Sequence, residues 1–355
     1  MVERDDPDAV PVEFPRDRIG EYLTFVREGA VLEPRFDADA AKGILEPLLE
    51  ETEQEGRDAT FSFSGSTASV VPAVQGRTVN WGPLLGALPG QLTDTEGPRI
   101  VPVSYVERDP ELSTEDAEKA GIRSPVGEFT VAVGADGRAQ SMIASLAGHF
   151  IPAGAGFSME EVAGLVSGDT SADAVATALF NAALEADAQD IERTGRGVDG
   201  EAFPSGRDAT ASADVAFRNG QGTGLVIDAS GSASSVTVRL WGTPEYDVRI
   251  STSPRTGIRP PTTRVVTTAG CTPFPGEDGY SVSVTRVVTR GDERVSTDTF
   301  SSNYAPRDRI ECREARPAPG GGEAGPPGEP GGPPAVEIPG LPPIELPRIP
   351  GLPGN

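Results

Sequence analysis

Three side-chain chemistries are nearly missing from this 355-residue chain. Histidine occurs once, at His149, cysteine twice, at Cys271 and Cys312, and lysine twice, at Lys42 and Lys119. One histidine and two distant cysteines fit no metal-ligand spacing, so a structural zinc site is excluded, and neither a metal nor a cofactor is expected. Arginine supplies the rest of the 30 basic residues, which face 54 acidic ones for a net charge of -24. Such a chain repels polyanions, and no basic patch with interleaved aromatics is present, so no nucleic-acid partner is expected. Phosphate-binding loops of the GxxxxGK[ST] or GxGxxG kind are also absent.

No apolar run is long enough to span a bilayer, and the opening MVERDDPDAVPVEF lacks the features of a signal peptide. Taken literally that describes a cytosolic protein. The rest of the sequence favours an exported, extracytoplasmic one, anchored by an N-terminal segment that this sequence does not include. In an exported protein Cys271 and Cys312 would most simply pair, and closing a loop of that length stabilises by roughly 4 kcal/mol. The alternative is two separate buried thiols.

What is abundant is proline and glycine, concentrated at the end of the chain. From Arg316 the sequence RPAPGGGEAGPPGEPGGPPAVEIPGLPPIELPRIPGLPGN predicts a disordered tail over 315–355. Its repeated IPGLP unit reads as a spacer, or as a polyproline-type ligand for another envelope protein.

The remainder predicts an α+β fold. Residues 11–112 read as a small module with the order helix, strand, helix, hairpin, helix, strand, composing one sheet with helices on one face. A first helix is expected over 15–26, with Ile19, Tyr22, Leu23 and Val26 on its apolar face. Asp37 caps a second helix carrying Ala41, Leu45 and Leu48 inward and interrupted or kinked at Pro47. ATFSFSG and TASVVPAV form a hairpin. Residues 113–125 make a helical linker capped by Ser113 or Thr114. A β-rich domain over 126–314 then carries two helices and a run of alternating strands, DATASADVAFRN, GTGLVIDAS, SSVTVRLWGT, TRVVTTAG, YSVSVTRVVTR and ERVSTDTFSSNYA.

Residues 126–243 resemble the VanW family, bacterial cell-envelope proteins named from vancomycin-resistance gene clusters. The resemblance is carried by VGEFT at 126–130, PAGAGFSMEEVAG at 152–164, TALFNAAL at 177–184, IER at 191–193, FPSGRDAT at 203–210, VAFRN at 215–219 and VTVRLWGT at 236–243. The preceding EGRDATFSFSGSTASVVPAVQGRTVNW is similar to a peptidoglycan-binding domain that often accompanies VanW domains. The resemblance implies an envelope protein whose partner is peptidoglycan or its precursors.

The site of the family does not carry over. Members typically show Gly-Gly-Gly-x-Cys-Gln-x-Ser-Thr-Thr before the central helix. Here the Gly run falls on Asp169, Thr170 and Ser171, the nucleophile-like position on Asp173, the Gln on Ala174 and the Ser on Ala176. Further on, the family's His falls on Arg196, the following Ser on Gly197, and its tyrosines on Val198 and Asp199. A Cys or Ser nucleophile needs a base near neutral pH, and arginine cannot serve as one. Asp173 and Arg196 are expected instead to form an ion pair across the former pocket.

The candidate ligand-binding residues are therefore Asp173, Thr177, Asn181, Glu192, Arg193, Arg196, Arg207 and Asp208. Glu192–Arg193 reads more simply as a strand-edge ion pair and Arg207–Asp208 as a turn pair. His149, beside Phe150 at a helix end, reads as structural. The expectation is a non-catalytic envelope protein that binds or scaffolds peptidoglycan. The alternatives are a wall-modifying enzyme using carboxylates and a structural or adhesive protein acting through its tail.

Overall fold

The computed structural model describes residues 12–94, 96, 100–200, 202–268 and 270–313. The expected tail, 315–355, lies outside the described residues. Along the chain, α1 (Ile19–Tyr22) leads into β1 (Leu23–Glu28) and β2 (Val31–Phe36), then α2 (Ala38–Leu49). Next come β3 (Thr60–Ser64), β4 (Thr67–Val71), β5 (Gly76–Val79), α3 (Trp81–Thr93) and β6 (Tyr105–Arg108). Helix α4 (Thr114–Lys119) precedes β7 (Ser124–Val131), α5 (Gly137–Leu146), β8 (Phe150–Ile151), β9 (Gly156–Ser158) and α6 (Met159–Ala163). The long helix α7 (Thr170–Glu185) is followed by β10 (Ala188–Glu192), β11 (Ala216–Asn219), β12 (Leu225–Gly231) and β13 (Val236–Gly242). The described chain closes with β14 (Asp247–Thr252), β15 (Thr256–Arg259), β16 (Thr263–Val266), β17 (Gly279–Arg290), β18 (Glu293–Tyr304) and β19 (Arg309–Cys312). The fold is α+β.

The N-terminal part departs from the single sheet expected. Its strands form three separate antiparallel pairs, β1–β2, β3–β4 and β5–β6. The expected first helix stops at Tyr22, because Leu23–Glu28 pairs residue for residue with Val31–Phe36. Thr, Phe and Val in that stretch favour the pleated backbone over the helix. Helix α2 does run through Pro47, capped by the Asp37 carboxylate, which accepts from the amides of Asp39 and Ala40. Ile44, Leu45 and Leu49 face the core, whereas Leu48 turns outward. These residues pack with Tyr22, Val79, Leu84, Leu88, Val101 and Val103 as one apolar cluster.

The β3–β4 hairpin belongs elsewhere. Phe61 and Phe63, two residues apart on one face, stack on Phe150 and Trp241 with ring centroids 6.0 and 4.5 Å apart. Backbone bonds Ala68 N–H to Arg123 O and Ala59 N–H to Leu112 O, with Ala73 N–H to the Thr114 hydroxyl, fasten the same hairpin alongside α4 and the approach to β7. The segment expected as a linker is thus a brace, and β7 begins at Ser124 within it. Replacing Phe63 by Ala is expected to cost about 2–3 kcal/mol, from the apolar area of a partly buried ring and the lost ring pair. The readout is a lower Tm together with faster proteolysis near residues 109–123.

In the second part, β7–β13–β12–β8 form a four-stranded antiparallel sheet, and β10–β11–β9 a three-stranded one. Helix α7 packs across β7 and β13, with α5, β10 and β14 around it. Every residue from Ser171 to Leu184 is buried, so its expected apolar stripe is in fact a helix covered on all sides. Alanine at six positions of TSADAVATALFNAALE lets neighbouring backbones approach closely. Gly127 on β7 is the tightest of these approaches, since a Cβ there would lie 2.1 Å from Ala182 O. Phe300 of β18 covers α7 from the far side, edge-on to Phe180 at 5.5 Å.

The last part is a sheet ordered β14–β17–β15 with β18 also paired to β17, and a parallel pair β16–β19. A disulfide joins Cys271 to Cys312 beside that pair. No helix among the described residues is long and apolar enough to cross a membrane.

Candidate ligand-binding site

The central helix presents one polar stripe, spaced four residues apart: Asp173, Thr177, Asn181 and Glu185. At that spacing side chains stack along a single helical face. All four bond to the extended segment 207–211, which runs antiparallel alongside. Asp173 Oδ1 accepts from Ala211 N–H at 2.9 Å and from the Thr210 hydroxyl at 3.0 Å. The Thr177 hydroxyl donates to Ala209 O at 3.0 Å and accepts from Ala209 N–H at 2.9 Å. Asn181 Nδ2 donates to Arg207 O at 2.7 Å, and its Oδ1 accepts from Arg207 Nε at 2.5 Å. Glu185 Oε1 takes Arg207 Nη2 at 3.1 Å.

This arrangement explains a departure from the sequence reading. DATASADVAFRN was expected to be one strand, but only Ala216–Asn219 joins a ladder. The backbone of 207–211 finds its partners partly on helix side chains and partly on loop backbone, Thr210 N–H on Thr194 O and Ala211 O on Val166 N–H, so it has no need of a neighbouring strand. It also places two of the candidate ligand-binding residues in the interior. Thr177 and Asn181 are 0 % exposed, and their polar atoms are committed to this brace.

Asp173 and Arg196 do form the anticipated ion pair, Nε to Oδ2 at 2.8 Å. The Arg196 guanidinium lies over the Phe203 ring, 3.9 Å from its centroid, and its backbone N–H donates to Asp208. The two simpler pairings expected nearby are not found. Glu192 is exposed, whereas Arg193 turns inward to donate to Gly206 O at 2.8 Å and the Ser302 hydroxyl at 2.7 Å. Successive residues leaving a strand point to opposite sides, so this pair cannot close. Arg207 reaches back to the helix, and Asp208 instead accepts from Tyr304 O–H at 2.6 Å.

Sequence reasoning missed the contribution of β17 and β18. Tyr304 O–H donates to Asp208 and accepts from Gly206 N–H; Tyr280 O–H donates to Asp199 at 2.6 Å and also meets the Ser205 hydroxyl. Burial, together with donation to Asp208, pushes Tyr304 far above the ordinary phenol range, so it stays a donor. Burial pulls Arg193 below its ordinary value, while Asp208 and Tyr304 act in the opposite direction. A signal for these residues existed: Tyr280, Val282, Val284, Arg286 and Val288 alternate inward along β17.

Arg286 is the strongest anomaly on that inward face, at 1 % exposed. It donates to Leu184 O at 2.8 Å and Ala186 O at 2.5 Å, closing the C-terminal end of α7, and to Asp298 at 2.8 Å. Beside it Asp187 is 4 % exposed, and its Oδ2 has no hydrogen-bond partner. Burial raises the Asp187 carboxyl, against the pull of Arg286 and Arg290. A carboxyl raised in the folded state loses stability for the fold as pH climbs past its unfolded value, near 3.9. Asp187→Asn is therefore expected to have a higher Tm than wild type at pH 7, with the difference closing by about pH 4. A gain independent of pH would show that ionisation is not its origin.

His149 is half-buried, edge-on to Phe157 at 5.6 Å, and burial lowers it from the usual imidazole value. It makes no described contact with Asp173 or Arg196. A cleft of about 380 Å³ opens beside Arg196, lined also by Thr170, Val198, Asp199, Gly200, Ala202, Phe203 and Arg307.

Residues 15–101 match the family described as "Putative peptidoglycan binding domain". Residues 173–241 match the family described as "VanW like protein". The second match starts on Asp173, the first residue of the polar stripe, and ends on Trp241, the partner of Phe63. No curated protein and no solved structure matches the chain. The two modules, in that order, associate the chain with the cell wall.

Proposed function

We propose that this is a non-catalytic protein of the cell envelope that holds peptidoglycan through residues 15–101, with the VanW-like part as a rigid frame. The observation that carries this reading is the saturation of Asp173. Its two oxygens already accept from Arg196, Thr210 and Ala211, and its ion-pair partner cannot take a proton. The matching helix residues Thr177 and Asn181 are committed to holding a backbone segment. What the VanW-like part retains is bracing. Wall binding then falls to the preceding module, which the β3–β4 hairpin fixes to the frame.

The test combines isolated wall sacculi with muropeptide profiling. The full chain is expected to co-sediment with sacculi and to leave the muropeptide profile unchanged. Failure to co-sediment would remove the binding claim. A new muropeptide product that disappears in Asp173→Ala would establish the enzyme alternative instead.

A further inference from the structure

The Asp173–Arg196 pair uses only one edge of the guanidinium. Nε is bound to Asp173, while Nη1 and Nη2 have no described acceptor, although the Arg196 side chain is only 14 % exposed. An arginine has five N–H donors, and those on Nη1 and Nη2 are not among the buried unpartnered atoms, so they face solvent and are available to a ligand. The head group is held from two directions, by Asp173 at Nε and by the Phe203 ring, while the backbone bond to Asp208 fixes the residue's main chain. Gly200 closes over it, since a Cβ there would lie 2.9 Å from Nη1.

Arg196 borders the cleft of about 380 Å³. The other cation on the wall, Arg307, is positioned by Glu277 at 3.1 Å and by the Phe274 ring at 4.5 Å. Asp199, the acidic residue among the described lining, is already engaged by Tyr280, Arg255 and Gly200 N–H. The backbone donors at the start of α7 are engaged too, since Asp169 caps Ser171 and Ala172. Arg196 is accordingly the group with unused donors. Val198, Ala202 and Phe203 supply apolar wall next to it.

We propose that this cleft is a receptor for a carboxylate, gripped by Nη1 and Nη2 of Arg196 and seconded by Arg307, with a small apolar side chain of the ligand against Val198, Ala202 and Phe203. Two parallel N–H groups in a fixed plane match the two oxygens of a carboxylate. The ligand class is a short peptide with a free C-terminus. Only the source of that peptide, the stems of the wall polymer, rests on the function proposed above.

The probes are N-acetylalanine of each hand, N-acetylalaninamide and inorganic phosphate, titrated into the full chain by calorimetry or NMR. N-acetylalanine is expected to bind saturably, and the amide at least tenfold more weakly. The double variant Asp173→Asn with Arg196→Gln leaves no buried charge unpaired; its Tm verifies folding, and its affinity is expected to fall at least tenfold. Arg307→Gln, on the exposed wall, is expected to weaken binding about threefold. Absence of saturable binding, equal binding of amide or phosphate, or wild-type affinity in the double variant would each overturn the proposal. Sacculus co-sedimentation separates the two readings. If it persists while the titrations fail, the receptor alone is wrong; if it fails while N-acetylalanine binds, the wall assignment is.

Discussion

Replacing Arg286 by alanine is expected to lower the unfolding free energy by about 3–5 kcal/mol, among the largest effects of any single substitution here. The side chain sits between α7 and the β17–β18 hairpin and satisfies two helix-end carbonyls, those of Leu184 and Ala186. Alanine leaves both buried without donors, opens a cavity, and removes the cation whose field partly offsets the buried charge of Asp187. In a chain of this size the loss corresponds to a fall in Tm of about 4–7 °C. Arg286→Met restores volume but no donors, so it is expected to recover little. Hydrogen exchange should localise the damage to the last turn of α7 and to residues 280–304. A loss below about 1 kcal/mol would mean that water can replace the guanidinium and that the junction is not dry.

The second large effect is at Asp173. Asp173→Ala strips acceptors from Arg196 Nε, the Thr210 hydroxyl and Ala211 N–H together, and leaves a largely buried arginine unpaired. The expected cost is about 3–5 kcal/mol. Asp173→Asn keeps one oxygen for Ala211 but turns an amide donor toward Arg196, so it too destabilises. Adding Arg196→Gln removes that conflict. The double variant is therefore expected to be more stable than the sum of the single changes predicts, by about 1–3 kcal/mol of coupling. Strict additivity in urea unfolding would show that the pair contributes nothing to the frame.

Much of the fold was legible in local chemistry. Asp37 and Ser113 cap α2 and α4 with side-chain acceptors, and the alternation in 225–242 and 279–304 marks real strands. The cysteine pairing was legible as the simpler of two options. Less legible were β14 and β15, where Pro254 interrupts the alternation of DVRISTSPRTGIR. The single N-terminal sheet was misjudged because Phe61 and Phe63 serve the rings of Phe150 and Trp241, far along the chain. Periodicity says that a face is apolar, not what covers it. At the candidate site, the Asp173–Arg196 pair could be placed by counting positions. The roles of Tyr280, Ser302 and Tyr304 could not, because they arise from pairings across 75 to 109 residues.

The polar stripe of α7 sets one constraint of its own. Each step of four helical residues advances about 6.0 Å, while each step of two extended residues advances about 6.6–6.8 Å. The pairs 173 with 211, 177 with 209 and 181 with 207 therefore keep step almost like the two scales of a vernier. The mismatch per step is under an ångström, which flexible side chains absorb over three rungs but would not absorb over six or seven. Length in this part of the molecule is consequently quantised: helix and segment can change together in units of four and two, and inserting a single residue in either would put every later rung out of register.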